Sequence, residues 1–454
     1  MHVGTLRTAL YNYAYAKQNS GKFILRIEDT DQKRQVADAQ NNLINLLKIF
    51  KLNYDEGPYI QTERLEIYQK HIQALLEKGF AYYCFCPTNR LEKMREIQEK
   101  QHQKPHYDRH CLSLSPKQIQ KKLSDGNPYV IRLKVPDHQD IICHDLIRGQ
   151  IIINSTEIDD QVLIKSDGVP TYHFAVVVDD HLMKISHVIR GDEWISSLPK
   201  QVLLYQYFGW KPPIFVHLPV FLNPDGKGKM SKRHGSTSVQ SFLDQGYLPA
   251  AILNYLMLLG WNPGTQQEIF SLKQFVQDFN LKKVHKTQPA FDRRKLDFIN
   301  AYYMRRLSAP KFAHLLSPFT PEINPSLIKQ IAPLLKERIE KLTDAVSLTD
   351  FFHQDVDFST QLLFQRGADK ELIIDMLTQT SEALKNISNW HLQLIQMILD
   401  DLIAKNKWNT GQFFMIFRVA ICGAPRTLPV VDCLPHLGQD KTIHKLTLAL
   451  AKLK

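Results

Sequence analysis

A stretch rich in glycine and lysine, residues 226–233, has the composition of a phosphate-binding loop. It reads Gly-Lys-Gly-Lys-Met-Ser-Lys-Arg and so places four cations beside two glycines. Glycine lets the backbone approach an anion closely, and lysine ammonium groups stabilise the negative charge that builds on a leaving pyrophosphate. Most charge runs are only solvated surface. The order of Lys229, Met230, Ser231 and Lys232 is more specific than charge alone.

A second phosphate-binding element is predicted at the start of the chain, where His2, Gly4 and Thr5 precede a helical run. A helix N-terminus presents free backbone N–H groups and a positive dipole end to an anion. An imidazole beside it would hydrogen-bond the phosphates. The motif is weak by itself, and a plain helix cap by Thr5 is the simpler interpretation.

Three cysteines, Cys84, Cys86 and Cys111, form a candidate structural zinc site. Thiolates are good zinc ligands, but a tetrahedral site requires a fourth ligand. Tyr107 and His110 are the two side chains near Cys111 that we consider for this place. The alternative is a set of reduced, partly buried cysteines left from an eroded site.

The elements that must position these residues alternate between helix and strand over the first 225 residues. A helix over 5–19 and a strand over 22–27 precede two amphipathic helices that end near Phe50 and Gly79. Further strand-like runs follow at 171–178, 187–190 and 215–222, and a helix is predicted at 198–208. This alternation predicts a parallel α/β sheet.

The character of the chain changes twice. Between about 84 and 167 a polar helix and short strands at 129–135 and 150–153 predict an inserted domain. From about Leu248 onward the strand signals fade and apolar residues fall at helical spacing. The C-terminal half is therefore predicted to be helical.

Length and composition limit the class of protein. A chain of 454 residues favours two to four domains. The net charge of +11 favours a polyanionic partner such as nucleic acid, although it also fits a merely solubilising surface. Six cysteines in a chain of this length are not a disulfide framework, which predicts a reducing, cytoplasmic location. Apolar runs stay well below the roughly 20 residues of a membrane span.

Paired in this order, the two phosphate-binding elements resemble the His-x-Gly-His-like and Lys-Met-Ser-Lys signatures of class I aminoacyl-tRNA synthetases. The residues between them narrow the resemblance to glutamyl-tRNA synthetase. The most similar segments are 26–31, 167–172, 177–181 and 188–193. Weaker similarity continues through 295–300 to 418–420 and 437–438, so the resemblance covers nearly the whole chain.

The resemblance implies an α/β Rossmann-like nucleotide-binding catalytic domain with an inserted α+β acceptor-binding domain, followed by an all-α anticodon-binding region. We expect the catalytic domain at 1–83 and 167–225 and the inserted acceptor-stem-binding domain at 84–166. A stem-contact region with the Lys-Met-Ser-Lys loop is expected at 226–305, and the helical anticodon-binding region at 306–454.

The resemblance also implies roles for single residues. Glutamate would be bound by Glu28, Tyr172 and Arg190. Alternatively, Glu28 and Arg190 form an ion pair on the surface, and Tyr172 is an aromatic residue of the core. The catalytic set would comprise His2, Gly4, Lys229 and Lys232. ATP would be bound by His2, Gly4, Thr5, Glu193, Trp194, Lys229, Met230, Ser231 and Lys232.

The expected reaction consumes ATP with Mg²⁺ and has tRNA(Glu) as acceptor; tRNA(Gln) stays open as a second acceptor. A monomer without membrane attachment is expected. Zinc would be held by Cys84, Cys86, Tyr107 and Cys111, a spacing also seen in some relatives.

The front of the chain departs from the family pattern. Family members have an Arg-x-Ala-Pro-Ser-Pro-Thr-Gly-like segment before the His-x-Gly element, whereas this sequence begins Met1-His2. That segment forms the first strand of the family's nucleotide-binding sheet and carries an arginine that pairs with the glutamate side chain. The two hypotheses are a true start farther upstream and a truncated copy with impaired activity; we favour the first. Translation of the upstream DNA distinguishes them.

Four other functions are alternatives to that of a glutamyl-tRNA synthetase. The nearest is the short paralogue that transfers glutamate to a modified tRNA base of the queuosine type, but about 150 helical residues beyond Asn300 argue against it. Glutaminyl-tRNA synthetase is disfavoured because its anticodon region is built from β-barrels. A nucleotidyltransferase that does not use tRNA and a non-catalytic RNA-binding relic remain open.

Overall fold

A computed structural model describes residues 1–31, 38–230 and 237–453. The chain forms two compact units. The first unit comprises residues 1–239 and 253–291, and the second comprises residues 240–252 and 292–454.

All strands of the described residues lie in the first unit. They are β1 Ile24–Ile27, β2 Glu56–Ile60, β3 Ala81–Cys84, β4 Val130–Leu133, β5 Asp140–Asp145, β6 Gly149–Asn154, β7 Val162–Ile164, β8 His187–Gly191 and β9 Ile214–Leu218.

Three sheets are formed by these strands. A four-stranded sheet has the order β6-β5-β9-β8, in which β5, β9 and β8 run parallel and β6 is an antiparallel edge strand. Strands β1 and β2 form a parallel pair, and β3-β4-β7 form an antiparallel sheet. The parallel α/β sheet predicted from the sequence is confirmed.

Helices α1 to α10 accompany these strands or follow them directly. They are α1 Val3–Gln18, α2 Ala39–Ile49, α3 Leu65–Glu77, α4 Thr88–Lys100, α5 Pro116–Ser124, α6 Tyr172–Leu182, α7 Leu198–Phe208, α8 Val239–Asp244, α9 Pro249–Leu258 and α10 Leu272–Asp278.

The strand predicted at 171–178 is wrong, because this segment begins helix α6. Three consecutive valines, 176–178, favoured a strand by their β-branched side chains. Every residue of α6 from Phe174 to Asp180 is buried, so the segment lacks the polar face that gives an amphipathic helix its sequence period. Tertiary burial overrides local propensity here.

The second unit is helical throughout its described residues, which confirms the predicted helical C-terminal half. Its remaining helices are α11 Arg293–Arg305, α12 Ala309–Leu316, α13 Pro325–Lys336, α14 Ala345–His353, α15 Lys370–Lys385, α16 Leu392–Asn406, α17 Thr410–Cys422, α18 Val430–Leu437 and α19 Gln439–Leu453.

Helix α15 shows how these helices pack. It buries Ile373, Met376, Leu377, Thr380 and Leu384, which recur at intervals of three and four residues, and it packs against α19. Residues at this spacing share one face of a helix. Within the described ranges, every helix is too short or too polar to cross a bilayer.

Candidate active site

Arg190 lies near the carboxyl end of β8, where an α/β sheet commonly binds its ligand. The residue is only 8% exposed, and its Nε–H donates a hydrogen bond to His217 Nε2 at 3.0 Å. Its Nη2 is buried and has no hydrogen-bond partner among the described residues. Burial lowers the pKa of Arg190 below its ordinary value. Tyr172, Asp180 and Tyr205 oppose this shift without offsetting it.

Tyr172 stands between a cationic and an anionic side chain. It opens helix α6, and its ring centroid lies 4.7 Å from that of Trp194. Burial raises the pKa of Tyr172 to about 12; Glu28 contributes to the rise and Arg190 opposes it. Tyr172 thus interacts electrostatically with Glu28 and with Arg190.

Glu28 follows directly after β1 and is held by an arginine of that strand. Arg26 Nη2 donates to Glu28 Oε1 at 3.0 Å, and Arg26 Nη1 donates to Asp180 Oδ1 at 2.9 Å. Glu28 itself remains exposed. The structure therefore brings together Glu28, Tyr172 and Arg190, the three residues predicted to bind glutamate.

The His2 segment begins a helix, as predicted, but the cap is His2 and not Thr5. Helix α1 starts at Val3, and His2 Nδ1 accepts a hydrogen bond from the Gly4 N–H at 3.0 Å. Thr5 lies within the first turn, so the interpretation of Thr5 as the cap is wrong. A Cβ at Gly4 would lie 3.2 Å from His2 Nδ1, a distance that is tighter than ordinary contact. Glycine therefore lets the imidazole fold over the helix start.

The described part of the Lys-Met-Ser-Lys element approaches the residues that follow β8. Lys229 Nζ lies 3.8 Å from Glu193 Oε1, and both side chains are exposed. Met230 is buried, and its N–H donates to the Phe221 carbonyl at 2.8 Å. Ser231 and Lys232 lie outside the described residues.

The chain returns from this element to the start of α1. The Val3 N–H donates to the Thr237 carbonyl at 3.0 Å, and His2 pairs with Ser238 in an antiparallel bridge. The two predicted phosphate-binding elements thus belong to one compact unit, with residues 237–238 bonded directly to the His2 segment.

The three cysteines converge as predicted, and Tyr107 lies among them. The Tyr107 Oη is 3.3 Å from the Sγ atoms of both Cys84 and Cys86, and Cys86 Sγ is 3.5 Å from Cys111 Sγ. Hydrogen bonds from Cys111 and Tyr107 lower the pKa of Cys84 to about 4. His110 is exposed and is not one of the grouped His, Cys, Asp and Glu ligands of the described residues. The three sulfurs suit tetrahedral zinc, and the Tyr107 phenol oxygen lies 3.3 Å from two of them.

Several side chains of the site were missed in the sequence. His217 accepts a hydrogen bond from Arg190, and Asp145 is in turn hydrogen-bonded to His217. The buried Tyr205 hydroxyl has no hydrogen-bond partner within the described ranges. Tyr205 and Arg190 each affect the pKa of the other. A polar residue inside an apolar strand, such as His217 between Val216 and Leu218, was the one available signal.

Comparison with known proteins identifies the class. Residues 1–298 match the family model described as tRNA synthetases class I (E and Q), catalytic domain, and residues 311–450 match the anticodon binding domain. Fold, site and both matches define a class I tRNA synthetase of the E and Q group.

Individual relatives narrow the family. The chain is 40% identical over 467 residues to the glutamate–tRNA ligase of Clostridium botulinum strain Hall. The alignment covers 100% of this chain and 96% of that protein. The chain is also 40% identical over 469 residues to the glutamate–tRNA ligase of Borreliella burgdorferi, with 99% and 95% coverage. The chain belongs to the glutamate–tRNA ligase family.

Solved structures agree with this assignment. A glutamate tRNA ligase from Elizabethkingia meningosepticum, solved in complex with its amino acid, has a TM-score of 0.88 and 32% identity over 100% of this chain and 97% of that chain. The resemblance inferred from the sequence is confirmed, and the comparisons give no support to the tRNA-modifying alternative.

Proposed function

We propose that the chain activates glutamate with ATP and joins it to the 3′ end of tRNA(Glu). The observation that carries this proposal is Arg190 Nη2, a buried nitrogen without a hydrogen-bond partner among the described residues. A buried, unpaired guanidinium nitrogen is unfavourable until an anion binds it. A carboxylate suits it best, because two carboxylate oxygens match the guanidinium fork. Glutamate supplies such a group.

The neighbouring side chains complement the rest of the amino acid. The exposed carboxylate of Glu28 would bind the α-ammonium group of glutamate, and Arg26 keeps this carboxylate in place. The Tyr172 phenol, which interacts electrostatically with Glu28 and Arg190, would donate a hydrogen bond to the bound amino acid. Together the three residues offer one anion, one cation and one directed donor.

ATP would be held by the two phosphate-binding elements. His2 and Gly4 would present the N-terminus of α1, Lys229 and Lys232 would supply cations, and Trp194, whose ring contacts Tyr172, would lie near the nucleoside. Thr5, Met230 and Ser231 complete the ATP contacts that we propose, with Glu193 beside the nucleoside. Mg²⁺ accompanies the triphosphate because side chains alone neutralise so much charge poorly.

The proposed reaction has two stages. An oxygen of the glutamate α-carboxylate attacks the α-phosphorus of ATP, the bond to the β-phosphate breaks, and pyrophosphate leaves with the electron pair. A terminal ribose hydroxyl of tRNA then attacks the carbonyl carbon and loses its proton, and AMP leaves. Lysine side chains that meet the pyrophosphate stabilise charge that exists only as the transition state forms.

The tRNA partner is supported by charge and by the second unit. The net charge is +11, and phosphate contacts dominate nucleic-acid affinity. The match to the anticodon binding domain covers residues 311–450. The domain limits at 1–83, 84–166, 167–225, 226–305 and 306–454, the monomeric state, the cytoplasmic location and the use of tRNA(Gln) stay predictions.

We also propose a structural zinc ion bound by Cys84, Cys86, Tyr107 and Cys111. The purified chain should contain about one zinc per chain, since a structural site has one tetrahedral ion. Cys84→Ser should remove it. Cys143→Ser is the matched control, because Cys143 is a buried thiol outside the cluster. Equal zinc content in both variants would exclude this site.

The experiment that tests the function is aminoacylation with tRNA(Glu) and tRNA(Gln) in separate reactions. Wild-type protein should charge tRNA(Glu) with glutamate. Arg190→Lys keeps the charge but loses the fork, so the KM for glutamate should rise about 10- to 100-fold, as expected for lost charge-assisted hydrogen bonds. The KM for ATP serves as the internal control. Charging that is indifferent to Arg190→Lys would exclude the assigned binding mode.

A further inference from the structure

Arg190 ends a chain of three buried side chains, in which the other two are His217 and Asp145. Strands β8 and β9 are parallel neighbours, and Arg190 and His217 are opposite each other in their register. Their side chains therefore leave the same face of the sheet. His217 is fully buried, and its Nδ1 lies 2.8 Å from Asp145 Oδ2. Asp145 ends β5, the other strand beside β9.

The donors and acceptors of this chain define the state of the imidazole. Arg190 Nε–H donates to His217 Nε2, so Nε2 must offer its lone pair. The ring proton is then on Nδ1, where it is donated to Asp145. A second proton on Nε2 would face the Arg190 N–H and break this contact. The arrangement requires a neutral ring of one tautomer.

Asp145 does not need the arginine to satisfy its charge. Its Oδ1 accepts from the backbone N–H groups of Ile147 and Arg148 at 2.9 and 2.7 Å. Its Oδ2 accepts from the backbone N–H of His217 at 2.9 Å, in addition to the imidazole. The carboxylate is thus fixed by four hydrogen bonds, and it in turn fixes the ring.

A neutral link between the two charged groups has a chemical consequence. A carboxylate placed directly on Arg190 would form an ion pair and compete with an anionic substrate for the guanidinium group. An imidazole accepts the Nε–H and sets the rotation of the group without supplying a negative charge. The buried Nη2 remains without a partner among the described residues, and so it is available to a carboxylate.

From this geometry we infer that His217, oriented by Asp145, is a positioning residue for glutamate binding through Arg190. The inference rests on the proposed function, since the ligand of Arg190 is the glutamate carboxylate. His217 touches neither the substrate nor ATP in this role. It sets the affinity for the amino acid by fixing Nε of Arg190, while Nη2 has no partner among the described residues.

Two substitutions at His217 separate positioning from packing. The amide of His217→Asn can still donate to Asp145 but does not reach the Nε2 position, so Arg190 loses its acceptor. The longer His217→Gln can place its Oε1 near the Nε2 position and still accept from Arg190. Steady-state aminoacylation gives the KM for glutamate, the KM for ATP and kcat for each variant, and thermal unfolding reports stability.

The expected result is a selective effect on glutamate. His217→Asn should raise the KM for glutamate about 10-fold or more, while His217→Gln should raise it no more than about threefold, the range of a hydrogen bond to a charged group and of a weakened one. The KM for ATP should not change in either variant. Equal glutamate KM values for the two variants, or equal rises in the KM for glutamate and ATP, would overturn the inference.

A third variant keeps the test decisive if His217→Asn does not fold. Asp145→Asn places an amide N–H or a weaker acceptor against His217 Nδ1, which favours the wrong tautomer. The KM for glutamate should rise about threefold to tenfold, the range of a weakened charged hydrogen bond. An unchanged KM overturns the inference. Wild-type protein that fails to charge tRNA(Glu) would instead refute the proposed function, and the inference with it.

Discussion

The fully buried carboxylate of Asp179 offers a direct test of how the first unit is held together. Asp179 Oδ2 accepts from Tyr68 Oη at 2.7 Å and from Gln61 Nε2 at 2.9 Å. Arg64 donates to Oδ1 from Nε at 3.0 Å and from Nη2 at 2.9 Å. These contacts connect helix α6 to α3 and to the segment before it. We predict that Asp179→Ala and Tyr68→Phe destabilise the first unit non-additively.

The magnitudes follow from the contacts. Asp179→Ala removes one partner of a buried ion pair and should lower the free energy of unfolding by about 3–5 kcal/mol. Tyr68→Phe removes one hydrogen bond to a charged acceptor and should cost about 1.5–3 kcal/mol. In the Asp179→Ala background that bond no longer exists, so Tyr68→Phe should then cost close to nothing. The coupling free energy should therefore be about 1.5–3 kcal/mol.

Equilibrium unfolding in urea of the wild type, both single variants and the double variant gives this coupling. Hydrogen exchange of peptides from α3 and α6 assigns the transition to the first unit. Tyr82→Phe is the matched control, because Tyr82 Oη donates at 2.7 Å to a different carboxylate, Asp160. Its cost should be the same with and without Asp179. A Tyr68→Phe cost that is equally large in both backgrounds would refute the assigned hydrogen bond.

Two further predictions concern pH and the approach of Lys229. Burial raises the pKa of Asp180 from 3.8 to about 6, so the stability contributed by its protonated form is complete below pH 3.8 and is lost as the pH rises to about 6. Urea unfolding across this range should show a slope that Asp180→Asn flattens and that Asn at the exposed position Asp278 leaves unchanged. In Gly191→Ala the new Cβ would lie 2.1 Å from Glu193 Oε2, and the displaced carboxylate should leave Lys229. The KM for ATP should rise up to about fivefold, the range of an exposed ion pair. An unchanged KM for ATP would contradict a role of this pair.

The class of fold could be predicted from the sequence because the helices and strands lie where the hydrophobic periodicity indicates them. Helix α7 was predicted at the residues where it is found, and β8 was predicted to within one residue. Helix α6 was misassigned because a helix buried on all sides has no polar face to set its period. The local spacing of apolar residues therefore predicts amphipathic helices and strands well, but it predicts fully buried ones poorly.

The site was predictable where residue order carries information. His2 and Lys229 were found because the two motifs are short and linear. His217 and Asp145 were missed because 72 positions separate them in the chain and a parallel sheet brings them together. The choice between Tyr107 and His110 also required coordinates, since both lie a few residues from Cys111. Spacing named the candidates, and the coordinates place Tyr107, and not the exposed His110, beside the sulfurs.

Two arginines of the first unit show how a binding group differs from a structural one. Arg26 is surrounded by carboxylates, and Asp180 and Glu28 raise its pKa in spite of burial. For Arg190 burial prevails over the opposing effects of Tyr172, Asp180 and Tyr205 and lowers the pKa. A lysine at position 26 would still find its anions, whereas a lysine at position 190 would lose the fork that a carboxylate substrate requires. Arg26→Lys should therefore leave the KM for glutamate closer to the wild-type value than Arg190→Lys does. This difference supports our proposal that Arg190, and not Arg26, binds the anionic group of the substrate.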